Sequence, residues 1–106
     1  MAVLFGVTTG TLVTARLNIE AALGVKLKES EGVQCGIHYT LSVPDRVIDL
    51  KNNIEYADHQ SEVDELAEPR FPNFKFLLYV NYVDEYPEYL RKVETANGPF
   101  VKLRVK

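Results

Sequence analysis

The chain has 106 residues, 46% of them hydrophobic and 25% charged, with a formal net charge of -3. A chain of this length folds as one domain and buries roughly two-thirds of its unfolded surface in one core, which excludes the disordered, collagenous and disulfide-framework classes. Its single cysteine, Cys35, can form no internal bridge; a bridge-free chain suits a reducing compartment, so a cytoplasmic location is the expectation.

The first apolar stretch, Ala2 to Val7, has no basic residues before it and gives way to Thr8-Thr9-Gly10-Thr11. It makes a poor secretion signal, and no stretch reaches the ~20 apolar residues of a membrane span. Leu12, Ala15, Ile19, Ala22 and Leu23 then recur at helical spacing with Gly24 behind them, which predicts an amphipathic helix over 11–23 with a glycine C-cap. Val25 and Leu27 alternate with Lys26 and Lys28 and predict a short strand, ending in the turn-prone Glu29-Ser30-Glu31-Gly32. Ile37, Tyr39, Leu41 and Val43 alternate with His38, Thr40 and Ser42, Pro44-Asp45 forms a tight turn, and Val47 to Leu50 returns as the second strand of a hairpin that ends at Asn52-Asn53.

Phe74, Phe76, Leu78, Val80 and Tyr82 share one face of the next extended run, and Leu77 and Tyr79 lie on the other. A strand apolar on both sides belongs in the middle of a sheet. Asp84 is placed as an N-cap, with Glu85 and Glu88 in the first turn, Arg91 and Lys92 further on, and Tyr86, Leu90 and Val93 as the buried stripe; the charge order is the one a helix dipole favours. Asn97-Gly98-Pro99 ends this helix, and Val101, Leu103 and Val105 alternate with Lys102, Arg104 and Lys106 in a last strand. The predicted order is α-β-β-β-β-α-β. It implies one α+β domain over 1–106, with a mostly antiparallel sheet of about five strands and two main helices on one face.

Charge is distributed unevenly along this order. Residues 1–54 balance, with five basic and five acidic side chains, whereas 55–68 hold Glu55, Asp58, Glu62, Asp64, Glu65 and Glu68 and no Lys or Arg; residues 69–106 return to +3. An acidic stretch repels phosphate, so it argues against direct nucleic-acid binding and for a partner with a basic surface, the alternative being a solvated connection between strands. Ser61 with Asp64 three residues later, and Val63 with Leu66, read as a short capped helical turn within it. A second acidic cluster, Asp84, Glu85 and Glu88, is interleaved with Tyr82, Tyr86 and Tyr89. Tyrosine beside carboxylate suits a protein interface, although Tyr86 also fits the core. The candidate partner-binding residues are therefore Glu55, Asp58, Glu62, Asp64, Glu65, Glu68, Tyr82, Asp84, Glu85 and Tyr89.

Catalytic patterns are thin. Cys35 and His38 are three apart, which on a strand sets them on opposite faces, and His59 lies among carboxylates that would repel an anionic substrate. Zinc requires further ligands at set spacings, and neither GxGxxG nor GK[ST] is present. The expectation is no catalytic residue, metal or cofactor. A small hydrolase acting through His38 or His59, and a structural or regulatory protein-binding subunit, are the competing readings.

Three segments together, IEAALGVKLKESEG, the glycine and aromatic around Gly36 and Tyr39, and EPRFPNFKFLLYVNY, resemble a group of small bacterial immunity proteins of polymorphic toxin systems, such as contact-dependent growth inhibition. Similar proteins carry a doubled glycine and a doubled tyrosine where this chain has Cys35-Gly36 and His38-Tyr39. The resemblance implies a non-catalytic cytoplasmic inhibitor that binds the C-terminal toxin domain of a large effector, many such domains being nucleases with basic clefts.

Overall fold

The computed structural model describes residues 1–7, 10–32, 36–53, 67–83, 88–95 and 100–105. The expected capped turn at 61–66, the N-cap Asp84, Tyr86, the stop Asn97-Gly98-Pro99 and Lys106 lie outside them. In chain order the elements are β1 (Ala2–Val7), α1 (Leu12–Leu23), β2 (Lys28–Gly32), β3 (Gly36–Val43), β4 (Arg46–Asn52), β5 (Phe76–Tyr82), α2 (Glu88–Thr95) and β6 (Phe100–Val105). The strands form one six-stranded sheet in the order β2-β3-β4-β5-β1-β6, antiparallel at every pairing. The α+β class stands, with one strand more than expected.

The added strand is β1. Its AVLFGV run is buried from Val3 through Val7 and sits between β5 and β6. An apolar run of this length that stops at polar residues is what a strand covered on both faces looks like. Strand β2 also differs from expectation. Val25 to Leu27 stay outside it, and the polar Glu29–Gly32, expected as a turn, pairs instead with β3 together with Lys28. Leu27 is buried, and its backbone N–H donates to the Glu20 carboxylate at 2.8 Å. An edge strand is held by backbone bonds from one side only, so a short charged sequence suffices there and discourages further pairing.

Local chemistry fixes α1 at both ends. The Thr14 N–H donates to Thr11 Oγ1 at 3.2 Å and the Thr11 N–H to Thr14 Oγ1 at 2.8 Å, a reciprocal cap. At the other end Gly24, at φ 66°, takes the left-handed conformation and its N–H donates to the Glu20 carbonyl at 2.9 Å. The hairpin β3–β4 and the central position of β5, between β4 and β1, follow the sequence reading.

Both helices belong to the same core. Val3, Phe5 and Val7 of β1, Ile48 and Leu50 of β4, Leu78, Val80 and Tyr82 of β5 and Phe100 of β6 pack with Ala15 and Ile19 of α1 and Leu90 and Val93 of α2. The reverse face is closed differently. Leu4 and Leu77 are fully buried there, Gly6 pairs with Leu77, and Phe74, just ahead of β5, lies over Gly6 so closely that a Cβ at that position would clash with its ring and stand 2.9 Å from Leu103 Cδ1. Residue 6 is glycine because an aromatic ring occupies the space a side chain needs.

Candidate functional site

Two places on this framework hold the described residues among those singled out from the sequence for partner binding, Tyr82 and Tyr89 at the first and Glu68 at the second. The first is at one end of the sheet. There Pro44 and Asp45 turn the β3–β4 hairpin, the Val83 N–H donates to the Asp45 carbonyl at 3.2 Å, and the Tyr82 N–H to the Met1 carbonyl at 2.9 Å. These bonds draw three chain segments around a groove of about 190 Å³. Met1, Val43, Pro44, Val47 and Val83 give it an apolar lining, and Met1 and Val83 are 59% and 66% exposed. Asp45, Arg46, Asn81 and Tyr82 complete the wall. A volume of this size is below the ~300–1,000 Å³ of drug-sized ligand pockets and matches one or two inserted side chains.

Tyr82 and Tyr89 stand near this groove in different ways. Tyr82 is buried, at 6% exposure, and belongs to the core, so it supports the wall more than it reaches outward. Tyr89, on α2, is half-buried against the core, and the Arg46 guanidinium lies 4.6 Å from its ring centroid, a cation–π stack. Arg46 Nε and the Tyr89 hydroxyl are both buried, and among the described residues neither meets a partner within full hydrogen-bond geometry. Burial raises the Tyr89 pKa above its ordinary value, while the neighbouring Arg46 charge pulls the other way. Asp84 and Glu85, which follow Val83 directly in the sequence, lie outside the described residues.

The second place is on the reverse face. Asn53 is the buried polar residue of the described chain, 3% exposed. Its side-chain amide donates to the Phe71 carbonyl at 3.0 Å and the Phe74 carbonyl at 2.8 Å, its side-chain oxygen accepts from the Glu68 N–H at 2.8 Å, and its own N–H donates to the Lys75 carbonyl at 2.7 Å. One side chain thus satisfies backbone groups from three positions of the segment that leads into β5. Glu68 continues the network: its carboxylate accepts from the Tyr79 hydroxyl at 2.9 Å and from both terminal nitrogens of Arg104, at 3.1 and 3.4 Å. The Lys51 ammonium lies 4.9 Å from the Tyr79 ring centroid. Burial, the Glu68 hydrogen bond and the Glu68 charge together raise the Tyr79 pKa, with Arg104 opposing them and Asp49 adding to the rise.

Of the ten sequence candidates for partner binding, Glu68 therefore has an internal task, Tyr82 is core, and Tyr89 is stacked beneath Arg46. Glu55, Asp58, Glu62, Asp64, Glu65, Asp84 and Glu85 lie outside the described residues. Sequence reading missed Asn53 and Arg46. The only signal at Asn53 is the Asn-Asn pair closing a strand, and Arg46 beside a hairpin turn carries none.

His38 is half-buried on β3, opposite Ser30 of β2, with Nδ1 3.2 Å from the Gly36 carbonyl. Cys35 and His59 lie outside the described residues. Among the described residues no group of three or more His, Cys, Asp or Glu side chains could hold a metal ion, and no helix is long and apolar enough to cross a membrane. Comparison with known proteins finds no matching family model, curated protein or solved structure.

Proposed function

We propose that this chain is a non-catalytic immunity protein that binds and neutralises the C-terminal toxin domain of a bacterial effector, a nuclease with a basic surface, in the cytoplasm. The observation that carries this reading is the concentration of charge: six carboxylates and no cation within 55–68, in a chain whose flanking regions are neutral or basic. The two ends of that stretch are tied together, since the Glu68 N–H donates to the Asn53 side chain. Carboxylates facing a nuclease's Lys and Arg accelerate encounter and add affinity where water is excluded. The groove at the β3–β4 turn supplies what charge alone lacks, an apolar recess next to Asp45 and, in sequence, next to Asp84 and Glu85.

That groove also favours a second reading, a structural or regulatory subunit that docks a larger protein without inhibiting a toxin. Both readings are tested by capture from the native cell with the tagged chain, identification of the bound protein, and expression of its domain with and without this chain. The immunity reading expects growth arrest by the domain alone and relief on co-expression. A harmless bound domain overturns it and leaves the docking subunit.

The role of charge is tested separately by changing Asp58, Glu62, Asp64 and Glu65 to Asn or Gln, with Glu68 retained because of its internal bonds. Association with the captured domain should slow and lose its salt dependence while the thermal midpoint stays nearly unchanged. An association rate equal to wild type at low salt overturns the assignment of the acidic stretch.

A further inference from the structure

At the β3–β4 turn the chain reads Val43-Pro44-Asp45-Arg46-Val47, a charged pair between apolar neighbours. Arg46, the first residue of β4, pairs with Val43 on one side and Tyr82 on the other, so it lines the groove while its guanidinium is held over the Tyr89 ring. Stacking uses the face of a guanidinium, and its N–H donors lie in the plane, at the edge. A charge taken partly out of water is ordinarily matched by an opposite one. Among the described residues, however, neither the half-buried Arg46 nor Asp45 forms an ion pair, with each other or with a third group. The Met1 backbone nitrogen is already engaged by the Tyr82 carbonyl, at 3.2 Å. The groove thus offers one carboxylate and one guanidinium, unmatched, beside an apolar lining.

We infer that the groove binds a free α-amino acid with an apolar side chain, its carboxylate on the edge of the Arg46 guanidinium, its ammonium on Asp45 and its side chain against Val43, Val47 and Val83. The two charges select this occupant. A guest that is only a cation answers Asp45 but meets Arg46 as a like charge, and a guest that is only an anion does the reverse. A residue inside a polypeptide carries neither charge on its backbone. A zwitterion answers both, and its carboxylate can take two parallel N–H···O bonds from a guanidinium. The volume of about 190 Å³ has room for one such molecule and is too small for a drug-sized ligand. The inference does not rest on the immunity reading, which draws on the charge of residues 55–68; a bound amino acid competes only with a partner side chain entering the same recess.

Titration of the isotope-labelled chain with L-leucine, followed through its backbone amides, tests this. The expected result is saturable shifts at millimolar leucine, confined to residues 43–47 and 81–83 around the groove. No saturable shift, or shifts centred elsewhere, overturns the inference. Two analogues separate the charges: leucinamide keeps the ammonium and loses the carboxylate, and isocaproate keeps the carboxylate and loses the ammonium. Each should bind about tenfold more weakly than leucine, the worth of one charge-assisted hydrogen bond. Leucinamide binding as tightly as leucine makes this a site for cations, isocaproate doing so makes it a site for anions, and either result overturns the zwitterion. Asp45→Asn, at an exposed turn residue, should keep the thermal midpoint and weaken leucine about tenfold while leaving isocaproate unchanged. Equal weakening of both, or of neither, removes Asp45 from the site and also overturns the inference.

Discussion

On the helix side of the sheet, Phe5, Ile48, Leu78 and Val80 are sealed beneath Ile19, Leu90 and Val93 by apolar contact. On the reverse side the buried Leu4 and Leu77 surround the point where Phe74 meets Gly6, and the segment carrying Phe74 hangs from Asn53 and Glu68. The first face is stabilised by area, in many small increments that tolerate the loss of any one polar group. The second depends on a few hydrogen bonds, each of which leaves a buried donor or acceptor unmet when it breaks. The comparison places rigidity where the helices are and sensitivity to single polar changes at the base of the acidic stretch.

Truncation on the helix side sets the upper end of the scale. Leu78 is fully buried, so Leu78→Ala should cost about 2–5 kcal/mol through lost burial and the cavity left behind. Lys75→Ala, at an exposed side chain whose backbone carbonyl keeps its bond from Asn53, should be nearly silent. Urea midpoints of the two variants measure the contrast. Equal midpoints would mean that β5 is not a core strand.

On the reverse side the corresponding change is Asn53→Ala. It removes the partners of the Phe71 and Phe74 carbonyls and of the Glu68 N–H, and should cost about 2–4 kcal/mol although almost no apolar area is lost. Asn53→Asp separates hydrogen bonding from volume. The aspartate still accepts from Glu68 N–H but, once ionised, faces two carbonyl oxygens with a negative charge. Its folded-state pKa is then raised, so its penalty should be larger near pH 7 than near pH 4. A penalty independent of pH would show that the side chain has turned away from the two carbonyls.

The two faces were also unequally legible in the sequence. The helix side announces itself by period: Ala15 and Ile19 on α1, Tyr39, Ile48 and Leu50 in the β3–β4 alternation and Leu78 and Val80 of β5 have their burial predicted from neighbours a few residues away. Ile37 and Val47 of the same alternation are nevertheless exposed, and Phe74, expected on the face of Leu78, turns to the reverse side over Gly6. Strand β1 escaped because an unbroken apolar run has no period of two to mark it as a strand, and Gly6 within it serves a contact with Phe74, far along the chain. Strand β2 escaped because its sequence is polar and only its pairing with β3 makes it a strand. The reverse-side clamp has no periodic signature. Asn53 bonds carbonyls 18 and 21 residues ahead and Glu68 reaches Arg104, 36 residues on. Glu68 looked like one more carboxylate of an acidic run, and its neighbours in the sequence hold no hint that a tyrosine and an arginine from two strands meet it.

The smallest expected effect is the most specific to that clamp. Tyr79 is held protonated by burial and by donating to the Glu68 carboxylate, which raises its pKa in the folded state. The unfolded chain releases that proton near pH 10. Below this value the neutral phenol exists in both states and its hydrogen bond contributes fully. Above it the unfolded state alone gains from ionisation, so the native state binds more protons and stability falls as pH rises. Tyr89, raised by burial, adds to the same limb. Tyr79→Phe should therefore be somewhat less stable than wild type at pH 7, because the Glu68 carboxylate loses a donor, and its stability should fall less steeply above about pH 10. The two curves converge as pH rises. Urea midpoints between pH 7 and 11 measure both slopes, and parallel curves would mean that the Tyr79 hydroxyl is exposed to solvent in the folded protein and that Glu68 holds Arg104 alone.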